Sequence, residues 1–211
     1  MNDLTVVLEN VEKPHNLSAI LRTSDAVGIL EAHAICKEKK ISTFNSTAQG
    51  SQKWVALNKY PNIEIAVKSL TQKGFKLYGT SLDVNSIDYR ECDFSGPTAF
   101  ILGTEKWGLS KSTTDLMDQL IHIPMRGMVQ SLNVSVAAAT LLFESLRQRE
   151  NAGMTPKNGE GLSKDLYHKK IFEWAYPEVA NWCKDQGRGY PSINSNGEIL
   201  EDLPRTIKIR Y

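Results

Sequence analysis

The sequence predicts an α/β fold built on a largely parallel sheet, and three observations lead to that prediction. Short apolar runs of strand length alternate with segments in which apolar residues recur at helical spacing. A turn residue follows several of these segments, as Gly28, Gly74, Gly103 and Pro124 do. This alternation favours parallel strands joined by helices, with the ligand site beyond the carboxyl ends of the strands.

The first half of the chain contributes three predicted strands and two predicted helices. The run Leu-Thr-Val-Val-Leu has the composition of a buried strand, and Leu17, Ile20 and Leu21 share one face of a helix that Pro14 begins. The predicted elements are a strand at 4–8, a helix from 14 to about 28, a strand at 33–36, a helix at 62–73 and a strand at 75–80.

The second half contributes strands at 98–102 and 120–123 and a helix from about 131 to 150, with Ser131 as its predicted N-cap. Apolar residues cover more than one narrow stripe of this helix, which indicates burial on two sides. The sheet would cover one side. A second subunit is the expected cover for the other, so we predict a homodimer; burial by the C-terminal segment is the alternative.

The sequence predicts three regions along the chain. Residues 1–150 form the α/β domain, and residues 151–163 hold three glycines and a proline, which is typical of a linker. Residues 164–211 form a small extension with a helix that Pro177 interrupts and a turn at Asn196-Gly197. This extension is too small for a large core of its own.

Composition and motifs exclude several classes of protein. No apolar run reaches the roughly 18–20 residues of a transmembrane helix, so we expect no membrane partner. Three separated cysteines and the absence of a basic leader predict a cytoplasmic protein without a metal site. The segment from Gly103 to Gly108 has the glycine spacing of a P-loop, but Leu109 stands where that loop needs lysine.

The segment 14–28 carries the first candidate site residues. Asn16 and Arg22 would lie on a helix, with Asp25 one turn beyond Arg22. One interpretation makes Asn16 an N-cap and pairs Arg22 with Asp25 at the surface. The other places Asn16 and Arg22 in a polar site, and the spacing leaves both open.

Two further candidate segments follow predicted strands. The glycine-rich turn 103–108 lets backbone groups approach a ligand closely, and Glu105 lies within it. The segment 123–135 leads through a Pro/Gly loop into a helix, where Asn133 and Ser135 are polar among apolar neighbours. These two residues form either a capping network or part of a site.

Together the three segments resemble the signature motifs of the SpoU branch of the SPOUT superfamily of RNA 2′-O-methyltransferases. Asn16 and Arg22 match the first motif, Gly103-x-Glu105-x-x-Gly108 the second, and residues 124–135 the third. The residues at 13–16, 127–133 and 189–199 are most similar to those of the TrmH family of tRNA methyltransferases. The resemblance therefore covers most of the chain.

The resemblance implies a fold, a cofactor and a reaction. The α/β domain would thread a C-terminal trefoil knot that binds S-adenosylmethionine, and the knot helix would form the homodimer. The implied reaction methylates the ribose 2′-hydroxyl of guanosine-18 in the tRNA D-loop. The same motifs also fit enzymes that act on rRNA or on the tRNA wobble ribose, and an RNA-binding SPOUT protein without catalysis.

The resemblance also implies roles for individual residues. Catalysis is expected at Arg22, Asn16, Glu105 and Asn133, with Arg22 at the reacting hydroxyl. Cofactor contacts are expected at Thr80, Leu102, Gly103, Gly108, Ile123, Met125, Ser131 and Leu132. The resemblance implies an RNA contact at His15, which adjoins Asn16. Two local basic clusters, one with Arg147 and Arg149 and one with Arg205, are further candidates for RNA contacts, and a solvated helix end or tail is the alternative for each.

Overall fold

The protein consists of two compact units, Met1–Asn158 and Gly159–Tyr211. The computed structural model describes residues 1–11, 13–36, 53–104, 107–154, 161–204 and 207. Within these ranges, no helix combines the length and the apolar character needed to cross a membrane. Two residues with predicted roles, Glu105 and Arg205, lie outside the described residues.

The first unit is built on a seven-stranded sheet in which every pair of neighbouring strands is parallel. Its strands are β1 (Leu4–Glu9), β2 (Glu31–Ile35), β3 (Ala56–Tyr60), β4 (Lys76–Thr80), β5 (Ile87–Asp88), β6 (Thr98–Leu102) and β7 (Gln119–His122), in the spatial order β3-β2-β1-β6-β4-β7-β5. Its helices are α1 (Pro14–Ala26), α2 (Ile63–Gln72), α3 (Lys111–Thr114) and α4 (Val134–Asn151). The predicted α/β class is confirmed, and the knot stays a prediction.

Side chains from both faces of the sheet are buried, because helices cover each face. Along β1, Leu4, Val6 and Leu8 belong to the core that includes α1 and α4 residues. Val7 points to the opposite face, into the core that α2 closes. Successive side chains of a strand alternate between faces, so a strand covered on both sides is apolar throughout.

Most predicted elements agree with the structure, and the differences have local causes. The predictions omitted β3, β5 and α3; β3 and β5 are edge strands with half-exposed side chains, which gives them a weak apolar signal. The prediction of Ser131 as N-cap is wrong. Asn133 caps α4, because its side-chain oxygen accepts a hydrogen bond from the Ser135 amide at 2.8 Å.

The second unit contains α5 (Lys164–Ala175) and α6 (Pro177–Asp185), with Pro177 in the first turn of α6, where a missing N–H costs nothing. Phe172 stacks on Tyr190 with 4.9 Å between ring centroids. Burial of Glu173 would raise its pKa, but the hydrogen bond from Tyr190 and the ammonium groups of Lys184 and Lys170 outweigh it, so that the pKa lies at about 2. The ionised Glu173 carboxylate therefore joins α5 to Tyr190 and to Lys184 of α6.

Arg149 is buried in the first unit, with 3% of its side chain exposed. Its guanidinium pairs with the Asp3 carboxylate at 2.8 Å and donates to the carbonyl oxygens of Phe94, Gly96 and Asp3. These bonds join α4 to the segments that precede β1 and β6. The prediction that Arg149 contacts RNA is wrong, because its guanidinium is buried and its N–H groups donate to atoms of the first unit.

We expect Arg149→Met to lower the free energy of unfolding by about 3–5 kcal/mol, because it leaves the Asp3 carboxylate without its cationic partner and removes one of the donors to each of three carbonyl groups. Urea denaturation followed by circular dichroism measures the change. Arg147→Met is the matched control, since Arg147 is 59% exposed and pairs with Glu144 alone among the described residues. Equal shifts of the two urea midpoints would contradict the structural role of Arg149.

Candidate active site

A cavity of about 340 Å³ lies at the carboxyl edge of the sheet, where β6, β4 and β7 are neighbours. Thr80 ends β4, Leu102 ends β6, and Ile123 directly follows β7, and all three residues line the cavity. The start of α4 closes the cavity through residues such as Val134. The position agrees with the crevice that open parallel sheets form beyond their carboxyl ends.

The structure brings together all eight residues for which cofactor contacts are expected. Thr80, Leu102, Gly103, Gly108, Ile123, Met125, Ser131 and Leu132 all line this cavity. Leu82 and His122 also line it and have no predicted role. Their positions in the sequence could have identified both residues, because Leu82 lies two residues beyond a predicted strand and His122 lies within another.

His122 is tied to the loop that follows β4. The Ser86 hydroxyl donates its only proton to the Asp83 carbonyl oxygen at 2.7 Å. Its oxygen therefore accepts from Nδ1 of His122, at 3.1 Å, which assigns the proton to that ring nitrogen. This bond joins the loop that carries Leu82 to the end of β7.

The glycine-rich turn is folded back tightly on the end of β6. A Cβ atom on Gly103 would lie 2.1 Å from the carbonyl oxygen of Gly108, so no other residue fits without moving the backbone. Thr104 and Gly108 exchange two backbone hydrogen bonds, at 3.1 and 2.9 Å. Gly108 has a φ of +63°, a left-handed conformation that glycine adopts readily.

The first and third motifs meet at the beginnings of α1 and α4. The Asn133 side-chain amide donates to the Asn16 side-chain oxygen at 3.3 Å, and Asn16 is 2% exposed. Asn16 is not the N-cap of α1, because Pro14 begins the helix and Lys13 occupies the cap position. The interpretation of Asn16 as an N-cap is therefore wrong, and a polar site shared by Asn16 and Arg22 stays a prediction.

Arg22 lies on the exposed side of α1. It is six residues beyond Asn16, about 9 Å along the helix axis. Among the described residues it has no hydrogen-bond or ion-pair partner, so the alternative pairing with Asp25 is absent. It does not line the cavity.

The residues expected to contact RNA differ in their surroundings. His15 is exposed at the start of α1, near the buried Asn16. Arg147 is exposed on α4 and pairs with Glu144 at 2.6 Å. Arg149 is buried, as described above, and Arg205 lies outside the described residues.

The walls of the cavity are neutral over the part that the structure describes. The lining residues in this part include no aspartate, glutamate, lysine or arginine, and His122 is their only ionisable side chain apart from hydroxyl groups. Apolar residues such as Leu102, Ile121 and Leu132 are among those that line it. Such walls suit a ligand with an extended apolar or heteroaromatic part.

Comparison with known proteins gives consistent results. Residues 3–143 match the SpoU rRNA Methylase family, and residues 147–202 match the family described as SpoU, rRNA methylase, C-terminal. The chain is 53% identical to the tRNA (guanosine(18)-2′-O)-methyltransferase of Thermus thermophilus over 172 residues, which are 82% of this chain and 88% of that protein.

Two solved structures are similar in fold. The A. aeolicus TrmH/SpoU tRNA modifying enzyme matches with a TM-score of 0.78 and 39% identity, over 85% of this chain and 90% of that chain. The SpoU methyltransferase AviRb from Streptomyces viridochromogenes, solved in complex with the cofactor AdoMet, matches with a TM-score of 0.64 and 26% identity, over 72% and 62% of the two chains.

We expect Gly103→Ala to lower the free energy of unfolding by about 1–3 kcal/mol, because its methyl group would overlap the Gly108 carbonyl and force the turn away from β6. Faster amide exchange at Thr104 and Gly108 should accompany this loss. Gly96→Ala is the matched control at the other end of the same strand, where nothing lies within 4 Å of the added Cβ. Wild-type exchange at Thr104 and Gly108 in the Gly103 variant would contradict the tight turn.

Proposed function

The chain belongs to the SpoU rRNA methylase family, and from that membership we propose that it methylates the ribose 2′-hydroxyl of guanosine-18 in the D-loop of tRNA. S-adenosylmethionine is the methyl donor in this proposal. The main support is the cavity in which the eight residues expected to bind the cofactor lie together. The activity in the name of the Thermus thermophilus relative supports the choice of nucleotide.

The cavity is compatible with this cofactor in size and in chemistry. Its volume of about 340 Å³ lies within the usual range for small-molecule sites. Apolar side chains such as Leu102, Ile123 and Leu132 offer contact area to an adenosine group, and loop backbone groups offer hydrogen bonds. When bound, the cofactor supplies a methyl group on a positively charged sulfur, which neutral walls accept without charge repulsion.

The chain's own residues would orient the ribose and stabilise its oxygen. A ribose hydroxyl is weakly acidic, so the site must align it with the methyl carbon and stabilise the charge that develops as its proton leaves. A guanidinium holds its own proton too firmly to act as a base, but it stabilises a nearby alkoxide. We assign this role to Arg22, which no described residue engages, and assign Asn16, Asn133 and Glu105 to shaping the site around the ribose.

The proposed enzyme is a homodimer that forms through α4. Val136 and Phe143, seven residues apart, lie on the same side of the helix, and 48% and 51% of these residues are exposed. Thr140 lies between them, and its hydroxyl is satisfied by the Val136 carbonyl oxygen. A stripe of this kind needs a cover, and a second copy of α4 supplies a complementary one.

The tRNA would contact exposed basic groups near the site. We propose that His15, Arg147 and Arg205 supply such contacts, since His15 and Arg147 are exposed. Contacts of a cation with the phosphate backbone make binding depend on salt, so loss of Arg147 should reduce that dependence. An enzyme with this substrate works where tRNA is found, and we therefore place it in the cytoplasm.

We expect Phe143→Glu to convert the dimer into a monomer, because two buried charges would face each other across the α4 stripe. Sedimentation at micromolar concentration measures the mass. Ile65→Glu on α2 is the matched control, since Ile65 is 47% exposed and Phe143 is 51% exposed. A wild-type protein that sediments as a monomer would contradict the dimer.

Incubation with methyl-labelled cofactor and unmodified tRNA tests the reaction, and nuclease mapping locates the product. We expect one label on the 2′-oxygen of guanosine-18. Arg22→Ala should slow turnover by about 10²–10³-fold, since it removes one charge-stabilising donor, while calorimetry shows nearly unchanged cofactor affinity.

Other products would identify which part of the proposal fails. Label on rRNA or on the wobble ribose would keep the reaction and change the substrate. Label on a base, or no label on any RNA, would reject the proposed function. Loss of cofactor binding in the Arg22 variant would mean that Arg22 does not act on the ribose.

A further inference from the structure

Glu9 is a buried carboxylate at the carboxyl end of β1, with 6% of the residue exposed. Carboxylates are rarely buried unless they are paired. Among the described residues Glu9 has no cationic partner; its partners are three neutral donors. They are the Ser110 amide at 3.0 Å, the Ser110 hydroxyl at 2.8 Å and the Thr113 hydroxyl at 2.6 Å.

These three bonds hold the N-cap and the third residue of α3, a helix of a single turn. Ser110 is its N-cap, and Thr113 lies within the turn, with none of its surface exposed. A helix this short is not stable by its own hydrogen bonds. Glu9 therefore holds in place a segment more than 100 residues away along the chain.

Glu9 also lies beside the glycine-rich turn. Leu8 pairs with Leu102 in the neighbouring strand β6, so that Glu9 continues β1 where Gly103 continues β6. The chain leaves the sheet at Gly103, turns, and reaches Ser110 two residues after Gly108. The Thr104–Gly108 bridge closes the turn, and the bonds from Ser110 to Glu9 fix its exit.

We infer that Glu9 is a positioning residue that holds the glycine-rich turn in the shape that binds the cofactor. This inference rests on the proposed function. Thr104, Trp107 and Leu109 line the cavity between the two fixed points, and the sequence places Glu105 in the same turn. A wall that is already ordered before binding costs no ordering free energy when the ligand arrives. Glu9 itself does not line the cavity, so it acts through Ser110.

The test compares S-adenosylmethionine affinity by calorimetry in wild type, Glu9→Ala and Glu9→Gln. We expect the alanine variant to raise the Kd about tenfold or more, because the turn loses its fixed exit. The Ser110 amide should exchange faster in that variant. Glutamine keeps an oxygen for the Ser110 amide, and its NH₂ group can donate to hydroxyls that reorient, so we expect the Kd to stay within about threefold of wild type.

Asp118→Ala is the matched control. The Asp118 carboxylate also accepts a backbone amide hydrogen bond, from Leu77 at 2.8 Å, and it does not line the cavity. Its loss should lower the melting temperature and leave the Kd unchanged. If the Glu9→Ala protein does not fold, the affinity of Thr113→Val is measured instead. This variant removes one of the three donors and should raise the Kd about threefold.

The outcomes separate the inference from the proposed function. A folded Glu9→Ala protein with wild-type affinity and wild-type Ser110 exchange would overturn the inference alone, provided that the wild type binds the cofactor and methylates tRNA. An equal rise in Kd for Asp118→Ala would also overturn it, because the effect would then be general destabilisation. A wild-type protein that fails to bind S-adenosylmethionine would reject both.

Discussion

The parallel pairing of β6, β4 and β7 is the constraint on which the site depends. Gly79 of β4 pairs with Ile101 of β6 on one side and with Leu120 of β7 on the other, so all three strands end at the same edge. Three loops leave the sheet there and enclose one cavity. The described residues that line it include apolar ones such as Leu102, Ile121 and Leu132.

Each wall of the cavity is held in place by hydrogen bonds of its own residues or of residues beside it. The Gly103 turn is fixed by its own bridge and by Glu9, and the loop that follows β4 is fixed through Ser86 and His122. The start of α4 is joined to α1 by Asn16 and Asn133. The described walls of the cavity are thus held by contacts within the first unit, whereas Arg22 is exposed and does not line the cavity.

Arg147 and Arg149 show how far a local charge pattern can mislead. Because they are two residues apart on α4, their side chains point in directions about 160° apart, so that Arg147 is exposed and Arg149 is buried. The sequence presents them as one basic cluster. Only the position of α4 against the sheet determines that Arg149 donates hydrogen bonds to the carbonyl groups before β1 and β6, whereas Arg147 stays exposed.

The sequence alone determined the strands with strong apolar runs, the helices with a clear apolar face and, through its resemblance to a known family, eight residues that line one cavity. Those signals are local, since each arises within a single strand, helix or loop. The tertiary structure decided the edge strands β3 and β5, the cap at Asn133, the burial of Arg149 and the position of Glu9. Glu9 shows the reason: its partners lie about a hundred residues away, and a distance of that kind along the chain leaves no pattern in the residues around it.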